Sequence, residues 1–213
     1  MLIAGIEEAG RGAVIGPLVV AGAVFEEKDI ESLKSLGVRD SKLLKPLRRE
    51  ALFGAIIKTA KRYLIIKISP HEIDNSLNSG VNLNELEGLK FVELVNKLNP
   101  DTAIIDCPSN NIHAFKSYLF ERIKNKKMQL KVEHKADVRY LIVGAASILA
   151  KVSRDREIKT IEKAIGQSVG TGYPSNTICQ KFLKENWNKY DIFRKTWASY
   201  KRVVGTEKQT KLI

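Results

Sequence analysis

The sequence predicts an α/β fold: a mixed sheet flanked by helices, with a C-terminal helical extension. Three observations carry this expectation. Short apolar runs of strand length recur through the first two-thirds of the chain. The early runs follow one another with short links, as in an antiparallel meander, whereas the later ones alternate with segments of helical periodicity, as right-handed crossovers and parallel pairing require. The last part of the chain is polar, with interspersed aromatic residues, and reads as helical. The division expected from this pattern is residues 1–170 for the sheet-bearing domain and 171–213 for the extension.

The elements follow in order. Residues 2–7 (LIAGIE) are short and apolar, a buried strand. After a Gly-rich turn, Pro17–Phe25 (PLVVAGAVF) is a Val-rich second strand that pairs with the first. The stretch LKSLGVRDSKLLKP is loop-like, and a helix follows over 46–61, with Pro46 in its first turn. Tyr63–Ser69 alternates as a third strand. Leu83–Leu98 then places apolar residues at helical spacing, and Thr102–Asp106 is a short buried strand. A helix over 111–125, a strand over Gln129–Glu133 and a long helix over 137–165 complete the pattern. Trp187, Tyr190, Phe193, Trp197 and Tyr200 mark the extension, and no internal repeat is visible.

Composition narrows the function classes. A chain of 213 residues with 44% hydrophobic content supports a core and argues against intrinsic disorder. No apolar run approaches the ~20 residues of a membrane helix, and the N-terminus lacks the pattern of a signal peptide. Cys107 and Cys179 are far apart without a CxxC partner, which suggests a reducing, cytoplasmic setting and no zinc cage. The excess of 36 Lys+Arg over 24 Asp+Glu gives a net charge of +12. That field favours a polyanionic partner, nucleic acid above all, although a Lys-rich solvated surface produces the same balance.

Four acids stand out against this basic background. Glu7 and Glu8 close the first strand, Asp106 closes a later one, and Asp137 follows the motif EHKA. Ligand sites of open α/β sheets gather at the carboxyl ends of strands, so these acids converge if the strands are neighbours. Clustered carboxylates repel one another unless a cation lies among them. Oxygen-only ligands select hard ions, Mg²⁺ or Mn²⁺, and a two-metal site suits phosphodiester cleavage. Each acid also has a plainer reading: Asp137 as a first-turn helix acid, Asp106 as an Asx cap, and Glu7-Glu8 as a solvated strand end. Gly10, Arg11 and Gly12 form a slim basic loop in which backbone N–H groups can approach a phosphate or ribose. It matches neither a P-loop nor a dinucleotide fingerprint. Asp40-Ser41-Lys42 reads as an exposed turn or a phosphate contact; of the three histidines only His134 lies near the proposed site, and a charged-surface reading suits it equally.

Taken together, GIEEAGRGAVIGPLVVAG at 5–22, DSKLL at 40–44, LNELE at 83–87, AIID at 103–106, EHKAD at 133–137, AASILAKVSRDREI at 145–158 and GTGYPSN at 170–176 make the chain resemble ribonuclease HII, in its archaeal form. The resemblance covers most of the chain. It implies a ribonuclease H-like fold and an endonuclease that cleaves RNA in RNA–DNA hybrids and at single ribonucleotides in duplex DNA, leaving 5′-phosphomonoesters. Its metal-binding acids map onto Glu7, Glu8, Asp106 and Asp137. Its ribose-reading loop maps onto Gly10, Arg11 and Gly12, and its stacking aromatic onto Tyr173. Ser41, Lys42, Asn84 and Lys135 fall at motif positions that face substrate. The implied protein is a monomer with no membrane partner.

Two positions depart from the family pattern. The family's first acid is ordinarily aspartate, whereas this chain has Glu7, which implies weakened or metal-altered activity. The alternative is therefore a catalytically impaired, hybrid-binding member of the same family; a resolvase or integrase of related fold fits the GRG and GTGY elements poorly. Archaeal relatives also carry a sliding-clamp tail of Gln, an aliphatic residue and aromatics. KQTKLI offers Gln209 and Leu212 without the aromatics, which implies a weak clamp contact.

Overall fold

The computed structural model describes residues 1–38 and 45–210, with side chains through Thr206. Ser41, Lys42, Leu212 and the Gln209 side chain lie outside the described residues. Five strands form one sheet in the order β3-β2-β1-β4-β5. They are β1 (Leu2–Ala9), β2 (Leu18–Glu26), β3 (Arg62–Ile68), β4 (Thr102–Asp106) and β5 (Gln129–Glu133). β1 pairs antiparallel with β2, from Leu2 opposite Glu26 to Ala9 opposite Val19. On its other edge β1 pairs parallel with β4, with Ile6 beside Ile105, and β4 pairs parallel with β5. The sheet is thus mixed, as its short-linked and helix-linked halves require.

β1 is central, and Ile3 to Glu7 are buried. A strand paired on both edges and covered on both faces has no solvent face to alternate with, which explains its nearly continuous apolar sequence. Helices α1 (Ile30–Ser35), α2 (Pro46–Thr59), α4 (Leu83–Leu98) and α5 (Ile112–Arg122) join or follow the strands. α3 (Pro70–Asn78) was not expected from periodicity, although its start carries a capping signal. Ser69 accepts a hydrogen bond from the Glu72 N–H at 3.1 Å, and Pro70 occupies the first helical position.

The single helix expected over 137–165 is two. α6 (Ala136–Arg139) ends at Tyr140, whose φ −118° and ψ 116° are extended, and α7 (Leu141–Ile165) begins anew. The Tyr140 hydroxyl and Arg139 both donate to the Glu133 carboxylate, at 2.9 and 3.0 Å, which ties this break to the end of β5. Helices α8 (Thr177–Asn186) and α9 (Ala198–Thr210) form the C-terminal part. Among the described residues no helix is long and apolar enough to cross a membrane.

The chain forms two compact units. The first comprises residues 1–9, 19–66 and 84–153. Its core packs Val19, Phe25, Leu52 and Ile56 with Ile142, Ile148 and Leu149 of α7. At Gly5 the Ile142 backbone comes so near that a Cβ would overlap its carbonyl group. The second unit comprises residues 10–18, 67–83 and 154–213. The aromatic residues of the extension supply its core: Phe182 stacks on Tyr190 at 5.9 Å, and Phe193 lies 5.9 Å from Tyr200. Ile15 bridges antiparallel to Phe193, and the Val14 and Ile15 N–H groups both donate to the Gly172 carbonyl, at 2.9 and 3.1 Å. Asp74, buried, accepts from the Lys195 and Thr196 N–H groups at 2.7 and 2.9 Å, pinning α3 to the segment before α9.

Two glycines separate packing from propensity. Gly5→Ala is expected to destabilise the protein by about 1–3 kcal/mol, because the methyl group meets backbone that cannot rotate away. Gly54→Ala, exposed inside α2 with nothing within 4 Å of the new carbon, is expected to stabilise it by about 0.5–1 kcal/mol. Urea denaturation of both variants measures the contrast, and equal effects would contradict the tight approach at Gly5.

Candidate active site

The parallel register of β1 and β4 sets Ile6 beside Ile105, so Glu7 and Asp106 are each the next residue along neighbouring strands. Glu7 is buried, at 7% exposure, and Glu8 and Asp106 are half-buried. Asp106 does a second thing: its Oδ1 accepts the Ala136 N–H at 2.6 Å. Ala136 opens α6, whose next residue is Asp137, so one carboxylate anchors the turn that brings in another. Lys135, just before, enters that turn with φ 57° and ψ 36°, a left-handed conformation rare outside glycine and asparagine.

The electrostatics register this gathering. The Glu7 carboxyl is pushed well above the ordinary range, first by burial, then by the charges of Glu8, Asp106 and Asp137. Lys151, on α7, acts the other way, and its ammonium also donates to Ser147 at 3.0 Å. Glu7 Oε2 is buried and has no hydrogen-bond donor among the described residues. Among those residues no three His, Cys, Asp or Glu side chains are drawn together closely enough to form a finished cage for an ion. The residues fit a hard divalent cation: the donors are all oxygen, and one of them is buried without a donor. His134 is exposed, its Nδ1 3.2 Å from the Cys107 carbonyl oxygen, and is not among the groups acting on Glu7.

The Gly10–Gly12 loop belongs to the second unit. Gly10 has φ 90°, its carbonyl accepts the Ala13 N–H at 3.2 Å, and a Cβ there would overlap the Arg154 side chain. Glycine is thus required both by conformation and by space. Gly12 is exposed, and a Cβ on it would stand 4.0 Å from the Tyr173 ring, so the structure brings these two predicted residues together. Arg11 is half-exposed. Asn84 sits half-buried in the first turn of α4, and the Lys135 side chain is exposed.

Three basic residues beside these groups were not singled out from sequence: Lys151, Arg154 and Arg194. The signal for Arg154 lay in spacing, since Ala150, Arg154 and Ile158 follow one another every four residues on the buried stripe of α7. Arg194 gave no such signal; it follows Phe193 in an irregular segment and is nevertheless fully buried.

Known proteins resemble this chain over nearly its whole length. The ribonuclease HII family profile matches residues 4–200. Ribonuclease HII of Pyrococcus furiosus is 44% identical, covering 99% of this chain and 95% of its own. The crystal structure of ribonuclease H2 from Pyrococcus horikoshii superposes with a TM-score of 0.88 at 38% identity, covering 98% of this chain and all of that one. Ribonuclease HII of Archaeoglobus fulgidus, solved in complex with PCNA, gives 0.85 at 37% identity over 92% of this chain and 95% of that one. The mixed five-stranded sheet is therefore the ribonuclease H-like fold, and the chain belongs to the ribonuclease HII family of endonucleases.

Proposed function

We propose that the protein cleaves the RNA strand of RNA–DNA hybrids and nicks duplex DNA at single embedded ribonucleotides, leaving 5′-phosphomonoester ends. The observation that carries this reading is the burial of Glu7 among the charges of Glu8, Asp106 and Asp137, in a member of this family. Glu7, Glu8 and Asp106 would hold the metal, and Asp137 would hold the second of two divalent ions or orient the water. Bound Mg²⁺ or Mn²⁺ supplies an activated water and stabilises the charge that develops on the leaving oxygen. The Gly10–Gly12 backbone approaches the ribose, whose 2′-hydroxyl distinguishes RNA from DNA. Tyr173 stacks against the nucleotide that follows, with Ser41, Lys42, Asn84 and Lys135 holding the strands. The net charge of +12 gives a sequence-independent grip on phosphates. Gln209 and Leu212 contact a sliding clamp weakly, a reading supported by the clamp complex of the Archaeoglobus relative. Absence of binding to PCNA at micromolar concentration would remove it.

Glu7 favours a second reading, that the protein binds hybrids but cleaves them poorly. Where the family has aspartate, one more methylene moves the carboxylate by ~1.5 Å, and a misplacement of ~1 Å in a catalytic constellation can cost on the order of 100-fold in rate. Nicking 5′ to a single ribonucleotide in Mg²⁺ or Mn²⁺ supports the nuclease, and tight binding without nicking supports the second reading. Binding indifferent to the 2′-hydroxyl counts against both. Glu7→Asp is expected to raise cleavage on the order of 10- to 100-fold in Mg²⁺; rates unchanged in both ions would show that the extra methylene is harmless.

Proton and cation compete for the same carboxylate. Because the folded-state pKa of Glu7 lies above its ordinary value of 4.5, the folded protein binds the proton more readily than the unfolded chain. Without metal, stability therefore falls as pH rises from the ordinary value through the raised one. Glu7→Gln is expected to flatten that dependence and to raise metal-free stability at neutral pH, while weakening stabilisation by Mn²⁺. Thermal melts between about pH 5 and about pH 8, with EDTA and with Mn²⁺, test both signs together.

A further inference from the structure

Two guanidinium groups inside the second unit lack the partners that usually accompany buried charge. Arg154 is 3% exposed and Arg194 fully buried, and among the described residues neither forms an ion pair. Burial and the neighbouring Arg154 charge push Arg194 down to about 9. Apolar side chains of similar volume would fill the same space without desolvating two like charges. Packing is therefore a poor account of them, and their hydrogen bonds suggest a better one.

Arg194 donates through Nη1 to the Arg11 carbonyl at 3.0 Å and through Nε to the Gly16 carbonyl at 3.1 Å. It thus holds both ends of the loop that contains Gly12, while its own N–H donates to the Val14 carbonyl at 2.9 Å. The Arg11–Gly12 peptide is trans, so the carbonyl of Arg11 and the N–H of Gly12 point in opposite directions within the peptide plane. Holding that oxygen on the buried Arg194 turns the Gly12 N–H away from it, and Gly12 is exposed. Arg154 serves the facing loop. It donates to the Thr171 carbonyl at 2.9 Å, lies 4.6 Å from the Tyr173 ring centroid, and occupies the space that a side chain at Gly10 would need. The Gly172 carbonyl, between the Thr171 bond and Tyr173, accepts the N–H groups of Val14 and Ile15.

We infer that Arg154 and Arg194 are positioning residues for substrate discrimination: Arg194 aims the Gly12 amide, and Arg154 sets Tyr173 against the same loop. The inference rests on the reading that this loop and Tyr173 select the ribonucleotide. A planar fork is needed to span the Arg11 and Gly16 carbonyls, so an ammonium keeps the charge and loses the geometry.

The test measures affinity for a duplex containing one ribonucleotide and for the all-DNA duplex of the same sequence, with Ca²⁺ replacing the catalytic ion. Wild-type protein comes first, and equal affinities there would refute the reading of the loop itself. Given wild-type discrimination, Arg154→Met and Arg194→Met are expected to shrink the ratio on the order of 10-fold, with all-DNA affinity kept within about twofold. The melting shift caused by Mn²⁺ should persist, because the acids are untouched. Arg154→Lys and Arg194→Lys decide the matter if a methionine variant fails to fold, and each is expected to lose part of the ratio. Folded variants that keep the full wild-type ratio would overturn the inference, as would equal weakening of both affinities, the signature of a merely structural role. In a Tyr173→Ala background Arg154→Met should cost little more, and full additivity would overturn the assignment of Arg154 to Tyr173.

Discussion

The parallel pairing of β1 with β4 is the constraint on which the acidic centre depends. Parallel strands finish at the same edge of a sheet, so two chain segments almost one hundred residues apart deliver Glu7 and Asp106 side by side. The neighbouring β4–β5 pair then brings the chain back to that edge, and Asp106 fastens the start of α6 with a backbone hydrogen bond. Asp137 depends on that bond. The approach of Ile142 to Gly5, which requires the absence of a side chain, sets the helix that carries Lys151. Glu7 and Asp106 thus arrive through strand register, and Asp137 through a bond that the Asp106 side chain accepts.

Both groups of charged residues run against the ordinary rules of burial. Glu8, Asp106 and Asp137 act on the buried Glu7, and among the described residues two guanidiniums are buried without acids to pair with. Such arrangements cost stability in the free protein, and apolar cores such as those around Phe25 and Phe182 offset that cost. The two cases differ in what completes them. The carboxylates are an all-oxygen set whose chemistry fits a hard cation, whereas the guanidiniums donate to carbonyls of their own unit.

Much of the fold was legible because its periodicities were clean. Leu83–Leu98, Thr102–Asp106 and Gln129–Glu133 stand where hydrophobic spacing put them. α3 escaped because it is short, amphipathic over only two turns, and announced by its cap rather than by a stripe. The break at Tyr140 escaped because local spacing on either side continues a helix; it is imposed by the bonds from Arg139 and Tyr140 to Glu133. The acids could be nominated from strand ends, since that rule needs only order along the chain. Arg194 could not, because its partners Arg11 and Gly16 are distant in sequence and are carbonyls, which any residue carries.

The interleaving of the two units bears on how the chain is made. It passes from one unit to the other after residues 9, 18, 66, 83 and 153, so neither is synthesised as a continuous piece. The loop beginning at Gly10 leaves the ribosome early, yet the guanidinium that braces it lies 183 residues further on from Arg11. Until Arg194 emerges, the Arg11 carbonyl lacks the guanidinium that holds it in the finished protein. A nascent chain can therefore carry all five described strands before the residue that braces the loop is made, so this brace is among the last contacts the growing polypeptide acquires.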